Sequence, residues 1–287
     1  MRVIGGTASE TVAKDIASQL NIPLVNTISK RFPDDELYVQ INDSVKDEHV
    51  IIVQTTYPDK NIMELFLLQD AAREAGAEKI TVVIPYFGYA RQDTKFKDGE
   101  PISAKALAKL ISMHADYAIT VDPHKEHILD FFTIPAHSCT AVGEIAKYLN
   151  SKKIDMVLAP DKGALERAKK ASNIINCEFD YMEKTRLDGE TVEIKPKKLD
   201  AENKNVAIID DIISTGGTMA KSINQLKKQG ASKVYVSCTH GLFAGEAIPK
   251  LTKSGVDEII STDTIMSDYS KVKIGPSIAS LINNIIK

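Results

Sequence analysis

Cysteine is scarce in this chain of 287 residues, with Cys139, Cys177 and Cys238 the full set. They lie far apart, are odd in number and form no C-x-x-C pair, so neither a disulfide framework nor a zinc site is expected and a reducing compartment fits. An excess of charge of one sign is also missing. Lys plus Arg number 36 and Asp plus Glu 39, for a net charge of -3, which offers no overall basic field to a nucleic-acid backbone. The opening Met1-Arg2-Val3-Ile4-Gly5-Gly6-Thr7 lacks the apolar core of a secretory signal. No hydrophobic run reaches the roughly 18 residues of a membrane span. These absences predict a soluble cytoplasmic protein that binds neither nucleic acid nor membrane. What is present, 43% hydrophobic and 26% charged residues, suffices for two ordinary cores or one large one and excludes a disordered tail.

Short β-branched runs alternate with amphipathic stretches. Val50 to Val53, Ile80 to Ile84, Tyr117 to Val121, Met156 to Ala159, Val206 to Ile209 and Val234 to Ser237 read as strands buried on both faces, the habit of parallel sheets. Ile62 to Ala75, Ala104 to His114 and Met219 to Gln229 read as helices. The first and third are followed by Gly76 and Gly230, suited to C-caps. Strand and helix in alternation predict an α/β fold.

One part of the pattern occurs twice. Val50-Ile51-Ile52-Val53, a loop, a helix and Gly76-Ala77-Glu78-Lys79-Ile80 match Val206-Ala207-Ile208-Ile209, a loop, a helix and Gly230-Ala231-Ser232-Lys233-Val234. This predicts two similar α/β domains, each with a mostly parallel sheet flanked by helices, over residues 1–145 and 146–287. A terminal helix starts at Gly275-Pro276-Ser277, with proline near its first turn. Which domain it packs on stays open.

The richest local signal is Asp210-Asp211-Ile212-Ile213-Ser214-Thr215-Gly216-Gly217-Thr218, directly after a predicted strand. Small hydroxyl residues and two glycines there gather backbone N–H groups around one point, with a helix N-terminus behind them. That is a phosphate cradle. Two adjacent carboxylates add hydrogen bonds for vicinal sugar hydroxyls or contacts to a hard divalent cation. A sugar phosphate is the ligand that uses both. No G-K-[ST] follows, so the loop is not a Walker A. The corresponding part of the first repeat, Gln54-Thr55-Thr56-Tyr57-Pro58, has neither the acids nor the glycine pair.

Hydrophobic strand, two acids, two hydrophobics and Ser-Thr-Gly-Gly-Thr resemble the phosphoribosyl diphosphate loop shared by type I phosphoribosyltransferases and ribose-phosphate pyrophosphokinases. Arg31-Phe32-Pro33-Asp34-Asp35-Glu36, Pro85 to Asp93, Glu100 to Lys105, Asp122-Pro123-His124 and Pro160-Asp161-Lys162-Gly163 resemble pyrophosphokinase motifs, in that family's order. The family's two domains are phosphoribosyltransferase-like, and its enzymes move the diphosphoryl group of Mg-ATP to the C1 hydroxyl of ribose 5-phosphate, giving 5-phosphoribosyl 1-diphosphate and AMP. The resemblance therefore implies an enzyme with ATP and ribose 5-phosphate as substrates and Mg2+ as cofactor.

Residue by residue, it assigns Phe32, Asp34, Glu36, Arg91, Gln92 and Asp93 to ATP, with the Phe32 segment reaching the ATP of a neighbouring subunit. A homo-oligomer follows, a dimer or a multiple of dimers. Asp210, Asp211, Ser214, Thr215, Gly216, Gly217 and Thr218 are assigned to ribose 5-phosphate, and His124 and Asp161 to the metal. Lys162-Gly163-Ala164 stands where the family usually has two glycines. Lys184 and Arg186, two apart on an extended strand and thus facing one side, are assigned to transition-state stabilisation. Charge neutralisation dominates such a transfer. Arg167, His127 and His137 receive no role. The alternatives are a phosphoribosyltransferase and a non-catalytic regulatory subunit of the same fold.

Overall fold

The computed structural model describes residues 1–182, 184–186, 192–194 and 199–286, with backbone alone for 184–186 and 192–194. The chain forms two units, Met1–Thr140 with Thr264–Met266 and Lys273–Lys287, and Ala141–Asp263 with Ser267–Val272. No helix among the described residues is long and apolar enough to cross a membrane.

The first unit runs β1 (Arg2–Gly5), α1 (Glu10–Leu20), β2 (Thr27–Arg31), β3 (Leu37–Ile41), β4 (His49–Val53), α2 (Lys60–Glu74), β5 (Lys79–Ile84), α3 (Ser103–Ile111), β6 (Tyr117–Val121) and β7 (Ala136–Cys139). Its sheet has the order β1-β4-β5-β6-β7, with each neighbouring pair parallel. β2 and β3 form a separate antiparallel hairpin, registered from Thr27 opposite Ile41 to Arg31 opposite Leu37. The predicted strands hold because their residues fill the core, Ile52, Val82 and Ile84 packing with Leu65 and Leu68 of α2. Gly76 takes φ +87° after α2, the left-handed turn a C-cap glycine accommodates.

The second unit repeats this plan. It runs α4 (Val142–Asn150), β8 (Met156–Ala159), α5 (Leu165–Ile175), β9 (Glu178–Tyr181), β10 (Lys184–Arg186), β11 (Val192–Ile194), β12 (Asn205–Ile213), α6 (Gly217–Lys228), β13 (Lys233–Gly241), α7 (Ala247–Lys253), β14 (Glu258–Thr262) and β15 (Ser270–Val272). The sheet order β15-β14-β13-β12-β8-β9 is again parallel between all neighbouring strands. In both units an antiparallel hairpin, β2–β3 or β10–β11, precedes the strand that the sequence repeat aligns, β4 or β12. Leu158, Ile208 and Val236 pack with Ile223 and Leu226 of α6. The last helix, α8 (Gly275–Ile285), follows the second unit in sequence but belongs to the first. It lies against α1, where Lys273 Nζ donates to Asp15 Oδ1 at 2.7 Å.

One boundary differs from the sequence reading. β12 extends to Ile213, so Asp210 and Asp211 stand on the strand and not in the loop after it. β13 is equally long and supplies the pairing, Asp210 opposite Cys238 and Ile213 opposite Gly241. The ladder overrides the low strand preference of aspartate.

Candidate active site

In the first unit, polar side chains gather beyond the carboxyl ends of β4, β5 and β6, the edge at which open parallel sheets bind ligands. The segment after β5 is tied to the one after β4. Thr55 Oγ1 and Thr56 Oγ1 donate to Tyr86 O at 3.1 and 3.2 Å, and Gly88 N donates to Thr56 Oγ1 at 2.7 Å. A Cβ at Gly88 would stand 3.0 Å from Thr56 O, so this approach needs glycine. Ala90 is buried and Arg91 exposed. Gln92 Oε1 accepts a hydrogen bond from Ser103 Oγ, while Gln92 O accepts from Ala104 N at 3.2 Å. Asp93 Oδ2 lies 3.2 Å from His127 Nε2.

His124 is exposed after β6, preceded by buried Asp122 and Pro123. Asp122 adopts a left-handed φ of 37°, an uncommon conformation for a residue with a Cβ. Cys139, at the end of neighbouring β7, has its thiol pushed up to about 12 by burial and by the Asp122 carboxylate, so it stays protonated and inert.

The β2–β3 hairpin carries Phe32, Asp34 and Glu36 at its tip. Phe32 is 46% exposed, and its ring stands edge-on to Tyr38 at 5.9 Å. Phe32 N donates to Glu36 O and Asp35 N to Phe32 O, both at 2.9 Å, and Glu36 N donates to Asp34 Oδ1 at 3.2 Å. Arg31 Nη1 donates to Asp35 O at 2.5 Å. The tip is thus ordered by its own bonds, with its aromatic face outward.

In the second unit, Asp211 N donates to Asp210 Oδ1 at 2.9 Å and Ile212 N to Asp211 Oδ1 at 3.0 Å. Burial and the adjacent Asp211 carboxylate raise the Asp210 pKa well above the usual carboxylate range, a shift Arg167 partly offsets. Arg167 on α5 approaches with Nη1 3.8 Å from Asp210 Oδ1, and its buried Nε has no hydrogen-bond partner among the described residues. Arg167 has no role in the sequence reading, since nothing local signals a helix residue that meets a strand far along the chain. Gly216 takes φ +71°, and a Cβ there would lie 3.3 Å from Ala247 O. Gly217 opens α6, and among the described residues no side chain caps that N-terminus and none lies within 4 Å of a Cβ placed at Gly217. Uncapped first-turn N–H groups beside open space form a site for an anion. Ser214, Gly217 and Thr218 are half-buried around it, with Thr215 exposed and Gly216 buried.

Asp161 Oδ1 accepts from Gly163 N at 2.9 Å and Ala164 N at 3.3 Å, capping the turn before α5. A Cβ at Gly163 would stand 3.1 Å from that oxygen. Lys184 and Arg186 fall on β10, paired with β11 from Lys184 opposite Ile194 to Arg186 opposite Val192. Their side chains, and Asp188-Gly189-Glu190, lie outside the described residues.

Among the described residues no group of three or more His, Cys, Asp or Glu side chains gathers. Magnesium needs no all-protein cage, since it keeps waters and borrows ligands from substrate phosphates, so single exposed side chains such as His124 fit it.

A family model described as the N-terminal domain of ribose phosphate pyrophosphokinase matches residues 1–114, and a phosphoribosyl transferase domain matches residues 134–270. The ribose-phosphate pyrophosphokinase of Methanothermobacter thermautotrophicus is 39% identical, covering 98% of this chain and 100% of the relative. That of Pyrococcus furiosus is 44% identical over 91% of this chain and 93% of the relative. The crystal structure of phosphoribosylpyrophosphate synthetase from Mycobacterium smegmatis matches with a TM-score of 0.84 at 28% identity, over 99% of this chain and 98% of that one.

Proposed function

The chain belongs to the ribose-phosphate pyrophosphokinase family, and from that premise we propose that it transfers the diphosphoryl group of ATP to the C1 hydroxyl of ribose 5-phosphate. The products are 5-phosphoribosyl 1-diphosphate and AMP. One observation carries the reading at the level of residues: the uncapped start of α6, open above Gly217, stands directly after the strand bearing the Asp210–Asp211 pair. Phosphate and sugar hydroxyls require that combination.

In this reading the residues divide the work. The N–H groups and hydroxyls of Ser214 to Thr218 hold the 5-phosphate, and Asp210 and Asp211 accept hydrogen bonds from the ribose hydroxyls. Arg91 grips ATP phosphates with its forked guanidinium, with Gln92 and Asp93 beside it. Phe32, Asp34 and Glu36 reach ATP bound by a neighbouring copy, which makes the protein a homo-oligomer built from dimers; the ordered tip and exposed Phe32 support this. His124 in the first unit and Asp161 in the second would each be a candidate ligand for Mg2+, which when bound would supply charge neutralisation for the transferring group. The first unit contributes ATP contacts and subunit packing, and the second the sugar-phosphate loop. A cytoplasmic location is part of the reading and agrees with three free cysteines.

No protein nucleophile is needed. The C1 hydroxyl oxygen attacks the β-phosphorus, the bond from that phosphorus to the α–β bridging oxygen breaks, and AMP leaves. Lys184 and Arg186 stabilise the charge that grows on the transferring group. Lys184→Ala is therefore expected to lower kcat by roughly 10²-fold with little change in KM for ribose 5-phosphate. An equal loss in both would remove Lys184 from the chemical step.

The direct test is incubation with ATP, Mg2+ and ribose 5-phosphate, followed by separation of AMP from ADP. Sugar-dependent AMP is the expected product. Sugar-dependent ADP would indicate a simple kinase and overturn the reading. Consumption of phosphoribosyl diphosphate with a nucleobase would make the protein a phosphoribosyltransferase, and absence of all turnover a regulatory subunit.

A further inference from the structure

We propose that His127 and Ser103 are positioning residues that hold the Arg91-Gln92-Asp93 loop in its nucleotide-binding conformation, an inference that rests on the reading of this loop as an ATP site. The loop needs such support. From Thr94 to Gly99 every residue is exposed, including Phe96 at 69%, so the stretch joining the tripeptide to α3 has no apolar anchor of its own. A phosphate-gripping arginine on an unanchored loop loses affinity to the ordering it must undergo on binding.

The structure supplies anchors from outside the loop. Ser103 opens α3 and donates its hydroxyl to Gln92 Oε1, and the next residue, Ala104, donates its N–H to Gln92 O at 3.2 Å. Gln92 is thus held by side chain and backbone at the start of one helix, and its amide nitrogen is the end left to face a ligand. On the other side, Asp93 is half-buried and meets His127 Nε2 at 3.2 Å. His127 stands on the 3-10 turn Glu126–Phe131, fixed by fully buried Ile128, with its ring edge-on to Phe131 at 5.6 Å. Arg91, between these anchors, is exposed and has no ion pair among the described residues. The neighbours that fix its backbone leave its guanidinium to the ligand. Asp93 in this arrangement acts through His127, as an anchor of the loop.

The experiment compares His127→Ala, His127→Gln, Ser103→Ala and Arg91→Ala. Binding of an ATP analogue with a methylene bridge between the α and β phosphorus atoms is measured by calorimetry, alongside KM for each substrate and Tm. His127→Ala is expected to weaken analogue binding and raise KM for ATP by about three- to tenfold, the range for a partly exposed contact between an imidazole and a carboxylate. KM for ribose 5-phosphate and Tm should stay close to the parent values. His127→Gln keeps an N–H donor for Asp93 and should restore binding. Ser103→Ala should weaken ATP binding in the same selective way.

Unchanged analogue affinity in both His127→Ala and Ser103→Ala would overturn the proposal, whatever happens to Tm. So would failure of His127→Gln to restore binding, since the ring's packing and not its N–H would then be at work. Arg91→Ala separates the two levels of inference. If it abolishes analogue binding while the other variants keep it, only the positioning role falls. If it too leaves binding intact, the loop is not the nucleotide site and the reading beneath the proposal fails.

Discussion

At Asp210 stability and binding pull in opposite directions. Its carboxyl is raised by burial and by Asp211, so the folded protein holds that proton more tightly than the unfolded chain does. The sign follows from linkage. The contribution to stability is full at acid pH and is lost as pH climbs from the ordinary carboxylate range through the raised value. Asp210→Asn removes the charge at every pH and is expected to raise the urea midpoint at pH 7, by more than it does at pH 4, while weakening ribose 5-phosphate binding. Chemical denaturation at the two pH values checks the first half and calorimetry the second. Arg167→Gln works the other way. It removes the cation that offsets the raised carboxyl, and at a loose 3.8 Å contact the expected loss is about 1 kcal/mol at pH 7, shrinking as the pH falls. Neither Arg167 nor His127 was legible in the sequence. Each acts through a partner brought near only by tertiary folding, and an isolated Arg on a helix or His on a turn looks the same in sequence whether it has such a partner or not.

Elements were legible in proportion to how much of their own core they carry. The strand at Tyr117–Val121 and the strand at Met156–Ala159 match the apolar runs that predict them, because burial on both faces writes itself into composition. Strands such as β2, β7, β9 and β15 were not singled out. They are three to five residues long and only partly buried, so what makes them strands is the neighbouring ladder. The α6 cradle was legible because its chemistry is local: small residues, hydroxyls and glycines in one string. Its two glycines nonetheless do different jobs, and substitution separates them. Gly217→Val places its side chain into open space, so the fold should keep its Tm while ribose 5-phosphate binding is lost. Gly216→Val forces a β-branched residue to φ +71° against Ala247 and should cost about 1–3 kcal/mol of stability. A thermal melt paired with a binding titration distinguishes the two.

The path of the chain through the whole molecule is not the one a simple duplication predicts. The repeat in sequence and the shared strand plan describe two successive units, yet α8 leaves the second and completes the first. Ile274, Ile278 and Ile282 are fully buried there, and a Cβ at Gly275 would lie 2.7 Å from Asp15 Cβ on α1. Deleting residues 275–287 should therefore remove amide-exchange protection from α1 and β1 and leave β12 and β13 protected, with Ile278 and Ile282 each contributing about 1.5–3 kcal/mol. This routing sets an order of assembly on the ribosome. Synthesis proceeds at roughly 5–20 residues per second and domains generally fold as they emerge, but here the unit begun first lacks its last piece until the second has been made. The second unit has its full sheet by Val272 and can mature ahead of the first. A nascent chain thus carries the apolar flank of α1 uncovered until α8 has been made, and a chain broken off just before Gly275 is damaged in the unit that was synthesised first.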